Sequence, residues 1–149
     1  MKIAIGSDHA GFDLKEEIKI YLTEKSAEVI DVGTYSPEPA DYPDYGSAVA
    51  RMTASGKVDR GILICGSGIG MSIVANRFTG VRAALCTDPE TAELSRRHND
   101  ANILVLAGRR TSIDRALQIA DIWLETGFEG GRHQKRLNKI ESLAPVFHT

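Results

Sequence analysis

Cys65 is followed at once by Gly66, Ser67, Gly68, Ile69 and Gly70, so a thiol stands at the mouth of a turn with glycine at every second position. Glycines let backbone N–H groups approach a ligand closely, and a helix beginning behind the turn adds partial positive charge, so the segment suits an anion. That anion is either a stable phosphate or an oxyanion that exists only during reaction, and the turn alone does not separate the two. A free thiol titrates near about pH 8.5, and a helix N-terminus or a nearby cation lowers that value, which yields a usable base at neutral pH. The competing reading makes Cys65 a small apolar residue ending a strand; Cys86, with no such turn after it, keeps that reading. Spacing weighs against three other motifs. A dinucleotide fingerprint needs Gly-x-Gly-x-x-Gly, which the even spacing of Gly66, Gly68 and Gly70 weakens, although Asp88 stands near the place of a ribose-binding acid. A cysteine phosphatase loop needs arginine six residues after the thiol, where Met71 stands, and the Gly-Lys-Ser/Thr of nucleotide hydrolases does not follow the glycines.

Other proton-capable and cationic groups lie at suggestive places. Asp8 and His9 follow the first apolar run, where Asp8 either caps a helix or meets a ligand. His98, in Ser95-Arg-Arg-His-Asn-Asp100, is either a surface residue favoured at a helix C-terminus or a general acid or base. Arg132 and Arg136 share one helix face, and two guanidinium forks there form either a solvated basic face or a grip on a phosphate dianion, to which Arg109 could add. His9, His98, His133 and His148 show no metal-ligand spacing on a shared helix face, so no metal is expected.

The elements that must position these groups follow from periodicity. Strands are expected at 2–6, 28–32, 61–65, 81–85 and 103–107; helices at 10–25, 46–55, 71–78, 88–98, from Thr111 or Ser112 to 125, and 131–143. Residues 33–45 carry turn chemistry and read as a loop. Alternating strands and helices, with strands apolar on both faces, predict an α/β fold: a doubly wound, Rossmann-like parallel sheet of about five strands covered by helices on both faces. Ligands gather at the carboxyl ends of such strands, which is where Asp8, His9, Cys65, Ser67 and Arg109 fall.

The 149 residues fit one domain, residues 1–149, and a net charge of -2 gives no broad basic field for nucleic acid or anionic membrane. No signal-peptide apolar region or membrane-length span is visible, and two cysteines without Cys-x-x-Cys spacing read as free thiols in a reducing cytoplasm.

Taken together, Gly6-Ser-Asp-His-Ala-Gly11, Asp41-Tyr-Pro43, Cys65-Gly-Ser-Gly-Ile-Gly70, His98-Asn-Asp100 and Gly131-Arg-His-Gln-Lys-Arg136 resemble type B ribose-5-phosphate isomerases, in the wider family that includes galactose-6-phosphate isomerase. The resemblance spans essentially the whole chain. It implies interconversion of ribose 5-phosphate and ribulose 5-phosphate through an enediolate, in the non-oxidative pentose phosphate pathway, without metal or organic cofactor. By the same resemblance, Cys65 matches the base that moves a proton between C1 and C2, and His98 the residue that opens the furanose ring. Gly66, Ser67, Gly68, Ile69 and Gly70 match the site steadying the enediolate oxygens, Asp8 and Asn99 contacts to sugar hydroxyls, and His9, Arg109, Arg132 and Arg136 the phosphate end. The family assembles these groups from two subunits, which implies a homodimer or a tetramer. One branch replaces the cysteine with a glutamate at the position of Met71, so Cys65 with Met71 matches the cysteine branch. A six-carbon substrate, allose or galactose 6-phosphate, and a non-catalytic sugar-phosphate-binding module are the alternatives.

Overall fold

Each apolar run becomes a parallel strand because both of its faces find a helix to cover them. The computed structural model describes residues 1–143. In chain order these form β1 (Lys2–Ser7), a 3-10 turn (His9–Gly11), α1 (Phe12–Glu24), β2 (Glu28–Asp31), α2 (Tyr42–Ala54), β3 (Arg60–Cys65) and α3 (Ile69–Ala75). They continue with β4 (Ala83–Leu85), α4 (Pro89–Asn99), β5 (Ile103–Ala107), α5 (Ile113–Glu125) and α6 (Arg132–Glu141).

The strands make a five-stranded sheet in the order β2-β1-β3-β5-β4, and every pairing is parallel. Strand alternation divides the core in two. Ile3, Ile5, Ile62, Ile64, Leu104 and Leu106 pack with Ile18 and Leu22 of α1 and Ile119 and Trp123 of α5. Ala4, Leu63, Cys65, Ile103 and Val105 face Val49 and Ala50 of α2 and Met71 and Ala75 of α3. The doubly wound expectation is therefore met. From β1 the chain crosses to β2 on one side and then returns to β3 on the other, which opens a crevice between the carboxyl ends of β1 and β3. Asp8 and Cys65 flank that crevice.

The largest differences from the sequence expectation lie at α2 and α3. Residues 42–45 belong to α2 rather than to a 33–45 loop: Pro43 lies in the first helical turn, where its missing N–H costs nothing, so a residue that reads as a breaker here starts a helix. Helix α3 runs from Ile69 to Ala75, not 71–78, because Asn76 leaves it to pair with Ala83 through both side-chain atoms, donating at 3.0 Å and accepting at 2.9 Å. Of the two candidate caps before α5, Ser112 serves, accepting from Arg115 N–H at 3.2 Å. Asp88 caps α4 as expected, accepting from Thr91 N–H at 2.7 Å. His148 lies outside the described residues.

Candidate active site

The exit from β1 supplies the first wall of the crevice. Asp8 is buried and caps the 3-10 turn, its Oδ1 accepting from Gly11 N–H at 3.1 Å. Capping uses one oxygen and leaves the other available, so the two sequence readings of Asp8 are compatible. His9 turns to the chain entering α2: its Nδ1 lies 3.1 Å from Ala40 N and 3.2 Å from Ala40 O. That nitrogen is engaged by backbone in either tautomer, which leaves Nε2 for another partner.

The exit from β3 supplies the second wall. Cys65 is a free, buried cysteine on the sheet face shared with Met71. Its carbonyl accepts from Gly108 N–H at 2.8 Å and that of Gly66 from Arg109 N–H at 3.1 Å, so the turn is zipped to the segment leaving β5. This brings Arg109 beside the turn, with its Cδ 3.5 Å from where a Cβ on Gly66 would stand. Gly68 has φ +77°, and a Cβ there would come within 2.4 Å of Leu85 Cδ1, so both conformation and space call for glycine. A Cβ on Gly70 would strike the Tyr42 ring at 2.5 Å. Ser67 Oγ accepts from Ile69 N–H at 3.2 Å. Among the described residues, the N–H groups of Gly66, Ser67, Gly68, Gly70 and Met71 find no acceptor. A backbone turn with unfilled donors beside a thiol is suited to charge that develops on oxygen during a reaction.

Asp8, Tyr42, Cys65, Gly66, Ser67, Ile69, Gly70 and Ile73 line one open cleft of about 440 Å³. Tyr42 and Ile73 are the lining residues that sequence reasoning left out of the site, and Tyr42 had a signal. It lay in Asp41-Tyr-Pro43, but treating the segment as loop hid the helix start that aims the ring at Gly70. Ile69, Ile73 and Tyr42 are large apolar groups left exposed around this cleft.

His98, Asn99, Arg132 and Arg136 lie elsewhere. His98 and Asn99 end α4, and Arg132 and Arg136 are exposed on α6, which packs against α4; none lines the Cys65 cleft. His98 stacks on His133 of α6 with ring centroids 4.3 Å apart and planes 14° from parallel. Glu129, in the segment joining α5 and α6, puts Oε1 3.7 Å from Nε2 of each ring. Burial first, then the charges of His98 and Arg132, push His133 below the ordinary histidine value, against the pull of Glu129. The ligand-type atoms of His98, Glu129 and His133 lie within 4.8 Å of one another, a grouping that helix-face spacing could not reveal because its members come from three segments. The ring planes are nearly parallel and 4.3 Å apart, so in-plane lone pairs from the two rings do not converge on one point, which suits a stacked pair better than a metal ion.

Among the described residues, no helix is long and apolar enough to cross a membrane.

A family profile described as Ribose/Galactose Isomerase matches residues 3–140. The chain is 52% identical over 142 residues to ribose-5-phosphate isomerase B of Escherichia coli, with 95% of each chain covered. Among solved structures, ribose-5-phosphate isomerase B of Clostridium thermocellum matches with a TM-score of 0.93 at 54% identity, covering 95% of each chain. That of Mycoplasma genitalium, solved with bound ribulose-5-phosphate, matches with a TM-score of 0.91 at 42% identity, covering 94% of this chain and 93% of its own.

Proposed function

The chain belongs to the Ribose/Galactose Isomerase family, and from that premise we propose that it interconverts D-ribose 5-phosphate and D-ribulose 5-phosphate through an enediolate. The observation that carries this reading is the buried Cys65 thiol beside a turn whose N–H groups are unfilled, on a cleft of about 440 Å³. In the open-chain aldose, Cys65 Sγ takes the proton from C2, the electron pair forms the C1–C2 double bond, and charge moves onto O1. The turn's amides and Ser67 steady that charge. Sγ returns the proton to C1 while the O2 hydroxyl passes its own proton to O1, leaving the ketone at C2 and a hydroxyl at C1. Transition-state charge held by preorganised N–H groups accelerates such a step where ground-state binding alone would not.

Asp8 meets the sugar hydroxyls in this reading, and Arg109 with His9 Nε2 lies towards the phosphate. The remaining groups, His98, Asn99, Arg132 and Arg136, come from a second copy of the chain, so the working enzyme is a homodimer. Their distance in the fold from the Cys65 cleft supports this, as do the exposed Tyr42, Ile69 and Ile73 around its mouth. The two unpaired cysteines are consistent with a cytoplasmic setting.

The test is direct. Purified chain given ribose 5-phosphate is expected to form ribulose 5-phosphate, and faster than it acts on allose or galactose 6-phosphate; in deuterium oxide, deuterium appears at C1 only to the extent that the Cys65 thiol exchanges with solvent before it delivers its proton. Tight binding of these sugar phosphates with no product from any would point to the binding module instead.

A further inference from the structure

We propose that Glu129 is a positioning residue that holds His98 in the orientation and charge state needed to open the furanose ring. The proposal rests on the isomerase reading and extends it to a residue that does not itself touch the sugar.

Glu129 is unusually constrained for an exposed loop carboxylate. Its backbone N–H donates to the Arg97 carbonyl at 3.1 Å, and its Oε2 accepts from Arg97 Nε at 3.3 Å and Nη2 at 3.2 Å. Arg96 Nε donates to the Thr126 carbonyl at 3.2 Å, so the same loop is clipped to α4 at a second point. One carboxylate oxygen is thus occupied by a guanidinium on the helix that carries His98. The other, Oε1, is left facing the two imidazoles, 3.7 Å from each Nε2, an electrostatic contact rather than a hydrogen bond.

Ring opening needs a proton at the right atom. As C1–O4 breaks, its electron pair passes to O4, which takes the proton from the His98 imidazolium, while the anomeric hydroxyl loses its proton to water and C1 becomes a carbonyl. Two stacked imidazolium rings 4.3 Å apart would repel, so positive charge on one ring disfavours it on the other. The groups facing His98 are Arg97 on its own helix, Glu129 on the loop and His133 on α6, with Arg132 and Arg136 beyond. His133 is the more buried ring, and burial, then the charges of His98 and Arg132, push it below the ordinary histidine value. His98 is the more open ring, with the Glu129 carboxylate 3.7 Å from its Nε2.

Glu129→Gln preserves size and removes the charge. With ribose 5-phosphate, kcat is expected to fall about tenfold or more, and the alkaline loss of activity to begin at lower pH. With the 4-deoxy analogue, which lacks the ring-closing hydroxyl and is always open, turnover is expected to change less than about twofold. Arg97→Gln, which releases Oε2, is expected to show the same split more weakly. Equal losses on both substrates, or none on either, would overturn the proposal. Failure of the unaltered enzyme to turn over either sugar phosphate would instead overturn the isomerase reading on which it depends.

Discussion

The two cysteines stand at comparable places and are set up for opposite fates. Cys65 ends β3 and Cys86 follows β4, the two strands that flank β5, and each is buried and unpaired. After Cys65 the chain makes a glycine turn with unfilled N–H groups on an open cleft. After Cys86 it enters α4, whose Ser95 lies 4.0 Å from the sulfur, in the core with Ala92 and Ala116. Burial there pushes the Cys86 thiol up to about 11, with the Ser95 contact working weakly the other way. A strand-end thiol is therefore not reactive by position. What the chain does in the next five residues decides whether the sulfur lines a cleft beside unfilled donors or is enclosed by packing.

The largest test of that contrast is functional. Cys65→Ala is expected to lower isomerase turnover by on the order of 10²–10⁴-fold with the fold intact, because it removes the group that moves the proton. Cys86→Ala is expected to leave turnover within about twofold and to cost about 1 kcal/mol of stability, close to the loss of one buried methylene-sized group. Activity assays beside urea unfolding separate the two. Comparable turnover losses would show that both sulfurs serve the reaction.

A smaller effect comes from the turn itself. Gly68→Ala forces a left-handed residue to carry a Cβ, at a cost of roughly 1–2 kcal/mol, and drives that carbon towards Leu85 Cδ1, 2.4 Å away. Because the donors would shift relative to Cys65, kcat is expected to fall by about 10²-fold while phosphate-end binding, read from inhibition by inorganic phosphate, changes little. A variant that loses stability but keeps kcat would separate the turn's shape from its chemistry.

How much of this was legible in the sequence depended on the range of the interaction. Runs such as Ile103–Ala107 announce their strand because local apolar pattern and final environment agree, and Asp88 and Ser112 announce helix starts through a side chain and an amide three residues apart. The same locality made the Cys65 turn visible. What stayed hidden joins distant segments. Lys15 is fully buried 2.6 Å from Asp31, which also meets Lys19 at 2.7 Å, yet on α1 it reads as a surface lysine. Burial alone would raise the Asp31 carboxyl, but the hydrogen bonds from Lys15 and Lys19 outweigh it and hold the group below the usual carboxylate range. Glu129 likewise carries no motif; its significance comes from Arg97 thirty-two residues away and from a ring stack between α4 and α6.

The smallest effect is thermodynamic and belongs to Cys86 alone. Its thiol titrates near the ordinary 9.0 in the unfolded chain and about 11 in the folded one. Below pH 9 both states keep the proton and the group contributes its full share. As pH rises, the unfolded chain ionises first, so it binds fewer protons than the native state and stability falls, by about 2 kcal/mol near pH 10.5. Tyr21, whose hydroxyl donates to Asp121 and is raised first by burial and then by that bond, weakens the fold in the same direction. Tyr21 is common to the parent and to Cys86→Ala, so the difference between their urea midpoints isolates the sulfur. At pH 7 the parent is expected to be the more stable by about 1 kcal/mol. By pH 10.5 the order is expected to reverse, because the parent alone must keep a neutral thiol buried while its unfolded state gains from ionising. A gap that stays constant across that range would mean that the Cys86 sulfur ionises as readily in the fold as in the unfolded chain, and the distinction between the two strand ends would fail.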